Sequence, residues 1–135
     1  MDVTKCKALK RELASQEEPQ LVSIERFFDG NDDEGSIGCN LVPHPGVEAF
    51  RRTFEGLKSR PGVREIYAQI TELDPGEDSW PFTDTILVVG SISPEELQEA
   101  LAGLQPDEVG PGGPDFLSPA LSEAERSNAL VAWWD

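Results

Sequence analysis

The chain has 135 residues, in which 11 Lys and Arg face 26 Asp and Glu for a formal charge of -15 at pH 7. A single domain of this length buries roughly 68% of its unfolded surface without disulfide support, and two cysteines, Cys6 and Cys39, are too few for a secreted scaffold. The charge argues against binding a phosphate backbone, no apolar run reaches the roughly 18 residues of a membrane span, and no signal-peptide core leads the chain, so a cytoplasmic protein is expected.

The charge is unevenly placed. Lys5, Lys7, Lys10 and Arg11 balance Asp2, Glu12, Glu17 and Glu18 within residues 1–20, which leaves the negative excess to the rest. Residues 4–15 are good helix formers with a thin apolar stripe of Cys6, Leu9 and Leu13, and Pro19 blocks continuation. They predict a helical arm over residues 1–20, docked against a single α/β domain over residues 21–135.

Residues 21–28, LVSIERFF, alternate as a strand would, with Val22, Ile24 and Phe28 on one face and Phe27 on the other. Residues 36–41, SIGCNL, alternate more cleanly, placing Ile37, Cys39 and Leu41 together. The run GNDDEG between them favours a turn, so a β-hairpin is predicted. After Pro43-His44-Pro45-Gly46, the spacing of Val47, Phe50, Phe54 and Leu57 predicts an amphipathic helix with Arg51, Arg52, Glu55 and Lys58 outward. Arg60-Pro61-Gly62 ends it. Residues 63–73 then predict a strand with Ile66, Ala68 and Ile70 on one face and Tyr67, Gln69 and Thr71 on the other.

A turn at residues 74–78 returns the chain through Trp80-Pro81-Phe82 into TILVVG, residues 85–90, which is apolar on both faces as a covered central strand should be. Ser93, Pro94 and Glu96 supply an N-cap, a first-turn proline and a capping box. Leu97, Ala100, Leu101 and Leu104 continue as one apolar face until Pro106. Residues 105–119 predict a Pro/Gly-rich loop fixed only at its ends. Ser118-Pro119 suits one helical turn running to Arg126, and residues 129–135 suit a final strand, with a helix as the alternative pattern. The sum is an α/β (α+β) two-layer sandwich: a largely antiparallel sheet, two main helices on one face, and a ferredoxin-like βαββαβ portion with an added hairpin strand.

The acidic loop from Asp29 to Gly35 is the first place to look for a cation, because hard ions seek several oxygens. Its register fails for a calcium loop: Glu34 stands where the sharp turn needs glycine, and Asn40 where a bidentate glutamate belongs. No metal and no cofactor are expected. Cys39 and His44 are near in sequence, yet a buried thiol on a strand face and an imidazole in a turn is the plainer expectation. Trp80 and Phe82 beside Glu72, Asp74, Glu77 and Asp78 would suit a cationic group, although sealing the end of the sheet is the ordinary use of such rings. No phosphate loop, nucleophile elbow, paired Cys-x-x-Cys or histidine cluster is present, so no catalytic residue is assigned.

FFDGNDDEGSIGCNL, the HPG ahead of the first long helix, WPFTDT and the closing AWWD together resemble a family of small, acidic bacterial proteins with no assigned activity. The resemblance spans Leu21 to Asp135, leaves out residues 1–20 and implies no functional residues.

From the residues, the expected function is that of a non-catalytic protein-binding module, similar to the immunity partners of basic bacterial toxins. Asp29, Asp32, Asp33, Glu34, Asp74, Glu77 and Asp78 would steer toward a basic protein, with Trp80 or Trp134 as apolar anchor. One alternative is a small-ligand or enzymatic domain with a pocket walled by Trp80 and closed by residues 105–119. Another is self-association through an exposed edge strand and the C-terminal tryptophans.

Overall fold

The computed structural model describes residues 1–135. Helix α1 (Val3–Leu13) is capped by the Asp2 carboxylate, which accepts from the Lys5 N–H, and ends with Lys10 and Arg11 near its negative pole. Its stripe of Cys6, Leu9 and Leu13 is buried in the main core.

The predicted hairpin does not form. Strand β1 (Leu21–Ser23) lasts three residues before the chain turns into helix α2 (Ile24–Phe28). The Ser23 hydroxyl accepts from the Arg26 N–H at 3.3 Å, and Ile24, Phe27 and Phe28 are all buried. A strand would have put Phe27 opposite Ile24; helical spacing puts all three on one side, so burial decides for the helix. Beyond it, Asp33 caps a short 3₁₀ turn (Glu34–Ser36), and Gly38 adopts φ +62°, which ends any extended run. Only Ile37 retains a sheet-like partner, a parallel bridge to Thr83, and Cys39 is exposed rather than buried.

Helix α3 (Val47–Lys58), strand β2 (Val63–Gln69), strand β3 (Thr85–Gly90) and helix α4 (Pro94–Ala100) occupy the predicted places, with the Ser93–Glu96 capping box formed. The Pro/Gly-rich segment was expected to hold no strand, yet it supplies β4 (Glu108–Pro111). An edge position tolerates Pro111, whose missing N–H costs no inner ladder bond. Helix α5 (Glu123–Ser127) starts at Ser122 with a second capping box, later than expected, and β5 (Ala129–Trp133) is the predicted final strand.

The five strands form one open antiparallel sheet in the order β1-β2-β3-β5-β4. A ferredoxin-like order would seat the first strand beside the third; here β1 lies at the edge beside β2. One face carries the main core, where Ile66, Ala68, Ile86, Val88 and Ala132 meet α1, α2, α3 and α4. On the other face Leu21, Leu87, Val89, Ala129 and Val131 are covered by Leu117 and Leu121, so the sheet is enclosed on both sides, as a central strand apolar on both faces requires.

Polar contacts hold that second cover. The buried Gln69 amide donates to the Phe116 carbonyl at 3.0 Å and accepts from the Ser118 N–H at 2.8 Å. Arg126 donates to the Pro114 and Ser118 carbonyls, and the Tyr67 hydroxyl donates to Glu125 at 2.6 Å. The segment is thus fixed along its length. A loop read as mobile from its prolines and glycines is ordered by side chains from β2 and α5.

Candidate functional site

The fold brings the two acidic stretches side by side. Asp33 accepts from the Gly35 N–H with one oxygen and from the Trp80 N–H, at 3.0 Å, with the other. The Thr83 N–H donates to the Ser36 carbonyl at 2.9 Å. Between the stretches lies a hollow of about 280 Å³ lined by Asp33, Cys39, Glu72, Trp80 and Phe82. The carboxylates do not converge as a set that could hold a metal ion.

Much of the charge there is already answered from α1. Lys5 pairs with Asp29 at 2.7 Å, the N-terminal ammonium with Asp32 at 2.7 Å, and Lys10 with Asp74 at 2.9 Å. The ammonium bond holds the Asp32 carboxyl below its ordinary range, and the Asp29 hydrogen bond raises Lys5. The carboxylates of these pairs are more than half exposed, so the pairs stabilise little, but they lower the attraction a basic partner would feel. Glu34, Glu77 and Asp78 remain exposed and without such a cation.

The two proposed aromatic anchors do not reach the surface. Trp80 is 1% exposed and Trp134 2% exposed. Trp134 donates from Nε1 to the Leu104 carbonyl at 2.8 Å and meets Phe50 edge-on, whereas Trp80 Nε1 has no partner. Trp133, on the opposite face with Val131, is the half-buried member of the pair. The alternation along β5 carried that information, since Ala132 and Trp134 share one side and Val131 and Trp133 the other. His44 accepts from the Gly46 N–H at Nδ1 and donates from Nε2 to the Ile37 carbonyl at 2.8 Å, so both nitrogens serve the backbone and neither activates Cys39.

Two larger hollows lie elsewhere. One, of about 580 Å³, runs between α2 and α3 over Ile24, Phe28 and Phe54. Its cations are spoken for: Arg26 pairs with Glu12, Arg51 with Glu48, and Lys58 with both Glu25 and Glu65. The Glu25 and Glu65 hydrogen bonds raise Lys58 further. The other, of about 730 Å³, follows β4 over Val109, Phe116, Val131 and Trp133, with Asp107 and Glu108 at its margin. It is therefore not the hollow that Trp80 lines, and the pocket once expected between Trp80 and the linker is two separate sites. No Lys or Arg occurs between Arg64 and Arg126, so the acids of this span have no cation of their own, and Asp74 finds one only in Lys10.

These features define an acidic α+β domain built on an open five-stranded antiparallel sheet with shallow, charge-rimmed hollows. The chain belongs to the family described as "Uncharacterized protein YfbO", whose model matches residues 4–132. The match begins inside α1, ahead of Leu21, where the resemblance was expected to start. A relative in Escherichia coli (strain K12), "Uncharacterized protein YfbO", is 32% identical over 117 residues, covering 85% of this chain and 82% of its own length. No solved structure gives a significant match. No helix is long and apolar enough to cross a membrane.

Proposed function

We propose that the protein is a non-catalytic binding module that meets a basic partner protein through its uncompensated acidic surface, in the manner of an immunity protein against a basic toxin. The observation that carries this reading is the absence of any Lys or Arg between Arg64 and Arg126, a span that contributes Glu77, Asp78, Glu95, Glu99, Glu108 and Asp115 to the exterior. A field of one sign steers an oppositely charged partner and repels like-charged neighbours. Asp29, Asp32, Asp33, Glu34 and Asp74 add to it, in part screened by Lys5, Lys10 and the N-terminus. The partner is met in the cytoplasm, where the free thiols of Cys6 and Cys39 stay reduced.

Affinity capture with the whole chain, followed by association kinetics on the captured protein, tests this. The reading requires a basic partner whose association slows by roughly tenfold or more when salt rises from low to physiological strength. Replacing Glu77, Asp78, Glu95 and Glu99 together with lysine should slow it similarly, and these four side chains make no internal bond whose loss would unfold the protein. Association indifferent to both changes would defeat the proposal.

A further inference from the structure

The two edges of the sheet are treated differently. At the β1 edge, the Gln16 side chain donates to the Leu21 carbonyl at 3.1 Å and accepts from the Leu21 N–H at 2.8 Å, standing where the next strand would be. At the β4 edge no side chain does this. Val109 and Gly110 pair only with β5, and their outward flank faces solvent along the 730 Å³ hollow. An edge of unpaired backbone groups is a template for another strand.

The floor beside that edge is apolar. Gly110 lies opposite the buried Val131 in the ladder, and no atom comes within 4 Å of the place where a side chain would begin, so the half-buried Trp133 beside it is left accessible. Phe116, 44% exposed, stands on the far side, and Gln98 of α4 closes the wall. Glu108 is exposed at the rim, with Glu95 and Glu99 on the adjoining helix.

We infer that this edge receives an extended basic segment of the partner polypeptide, which adds as a sixth strand beside β4. The inference rests on the reading of a basic partner and gives it a place and a mode. Backbone bonds to β4 supply affinity, alternate apolar side chains enter the hollow over Trp133 and Phe116, and the Lys or Arg side chains between them, on the face that Val109 shares with Ala132, meet the α4 carboxylates. A second copy of this chain is a poor occupant, because its own β4 edge carries the same acids and no base.

The test uses the whole protein and a short peptide alternating lysine and valine, followed by amide chemical shifts. Shifts confined to residues 107–113 and 131–133 are expected. Gly110→Val, which fills the hollow in a residue suited to strands, should weaken binding by roughly tenfold or more, and Glu95→Lys combined with Glu99→Lys should weaken it by several-fold. The matching glutamate–valine peptide should not bind. Shifts centred on residues 72–78 would overturn the strand-addition site while leaving the basic-partner reading intact. Absence of any binding would overturn the site, and the partner's salt-dependent capture would still decide the broader reading. A dimer in the free protein that Gly110→Val dissolves would assign the edge to self-association and overturn the inference.

Discussion

Trp80 and Trp134 have similar burial and opposite hydrogen-bonding accounts. The Trp134 indole N–H donates to the Leu104 carbonyl, and truncation to phenylalanine strands that carbonyl in the core. The Trp80 indole N–H is buried without an acceptor, so it has already lost its bond to water. Both changes to phenylalanine remove similar volume. Trp134→Phe is therefore expected to lower the unfolding free energy by about 1–3 kcal/mol more than Trp80→Phe, measured by urea denaturation. Equal losses would show that the Trp80 N–H is satisfied after all. The burial of Trp80 was hard to read because it lies in the irregular segment ahead of β3, where no periodicity fixes the direction of a ring. The Trp133–Trp134 pair is the opposite case: strand alternation sends one ring into the main core and leaves its neighbour at the rim of the β4 hollow.

At the scale of elements, α1 has three buried side chains within the main core. Leu9→Ala is expected to cost about 2–5 kcal/mol, the range for a deleted core leucine, whereas a loosely docked arm would lose far less. Helix α5 gives a pH-dependent case. The hydrogen bond from Tyr67 holds the Glu125 carboxyl below its ordinary value of 4.5, while burial raises the Tyr67 hydroxyl. A carboxyl lowered by folding stabilises the protein above its unfolded pKa, and that contribution disappears as pH falls through the lowered folded value. The stability gap between the protein and Glu125→Gln should therefore be fully present well above pH 4.5 and shrink as pH falls below that ordinary carboxyl value, as read from urea midpoints. A gap unchanged with pH would mean that Glu125 acts by shape alone. Long periodic elements were legible: α3, α4, β2 and β3 are each specified by runs whose spacing fits one structure. The segment from residue 24 to residue 41 was not, because Ile24, Phe27 and Phe28 satisfy alternation and helical spacing almost equally, and the cap formed by Ser23 settles the choice. Strand β4 was hidden for another reason. Its glycine and proline oppose strand formation locally, and it exists because β5 offers a ladder and Gln69 and Arg126 pin the chain that follows.

For the molecule as a whole, the charge of -15 sets two effects of salt against each other. Within the folded protein, the base-free span from Arg64 to Arg126 packs like charges together, and screening that repulsion favours the compact state. The ion pairs near α1 act in the opposite sense, but Asp29, Asp32 and Asp74 are all more than half exposed, so little is lost when they are screened. The melting temperature is therefore expected to rise by roughly 2–4 °C between low salt and about 0.2 M sodium chloride. Over the same interval, association with a basic partner should slow, because the field that strains the fold is the field that steers the encounter. Salt that lowered the melting temperature would show that the ion pairs outweigh the repulsion, and the acidic exterior would then be a source of stability instead of a cost kept for recognition.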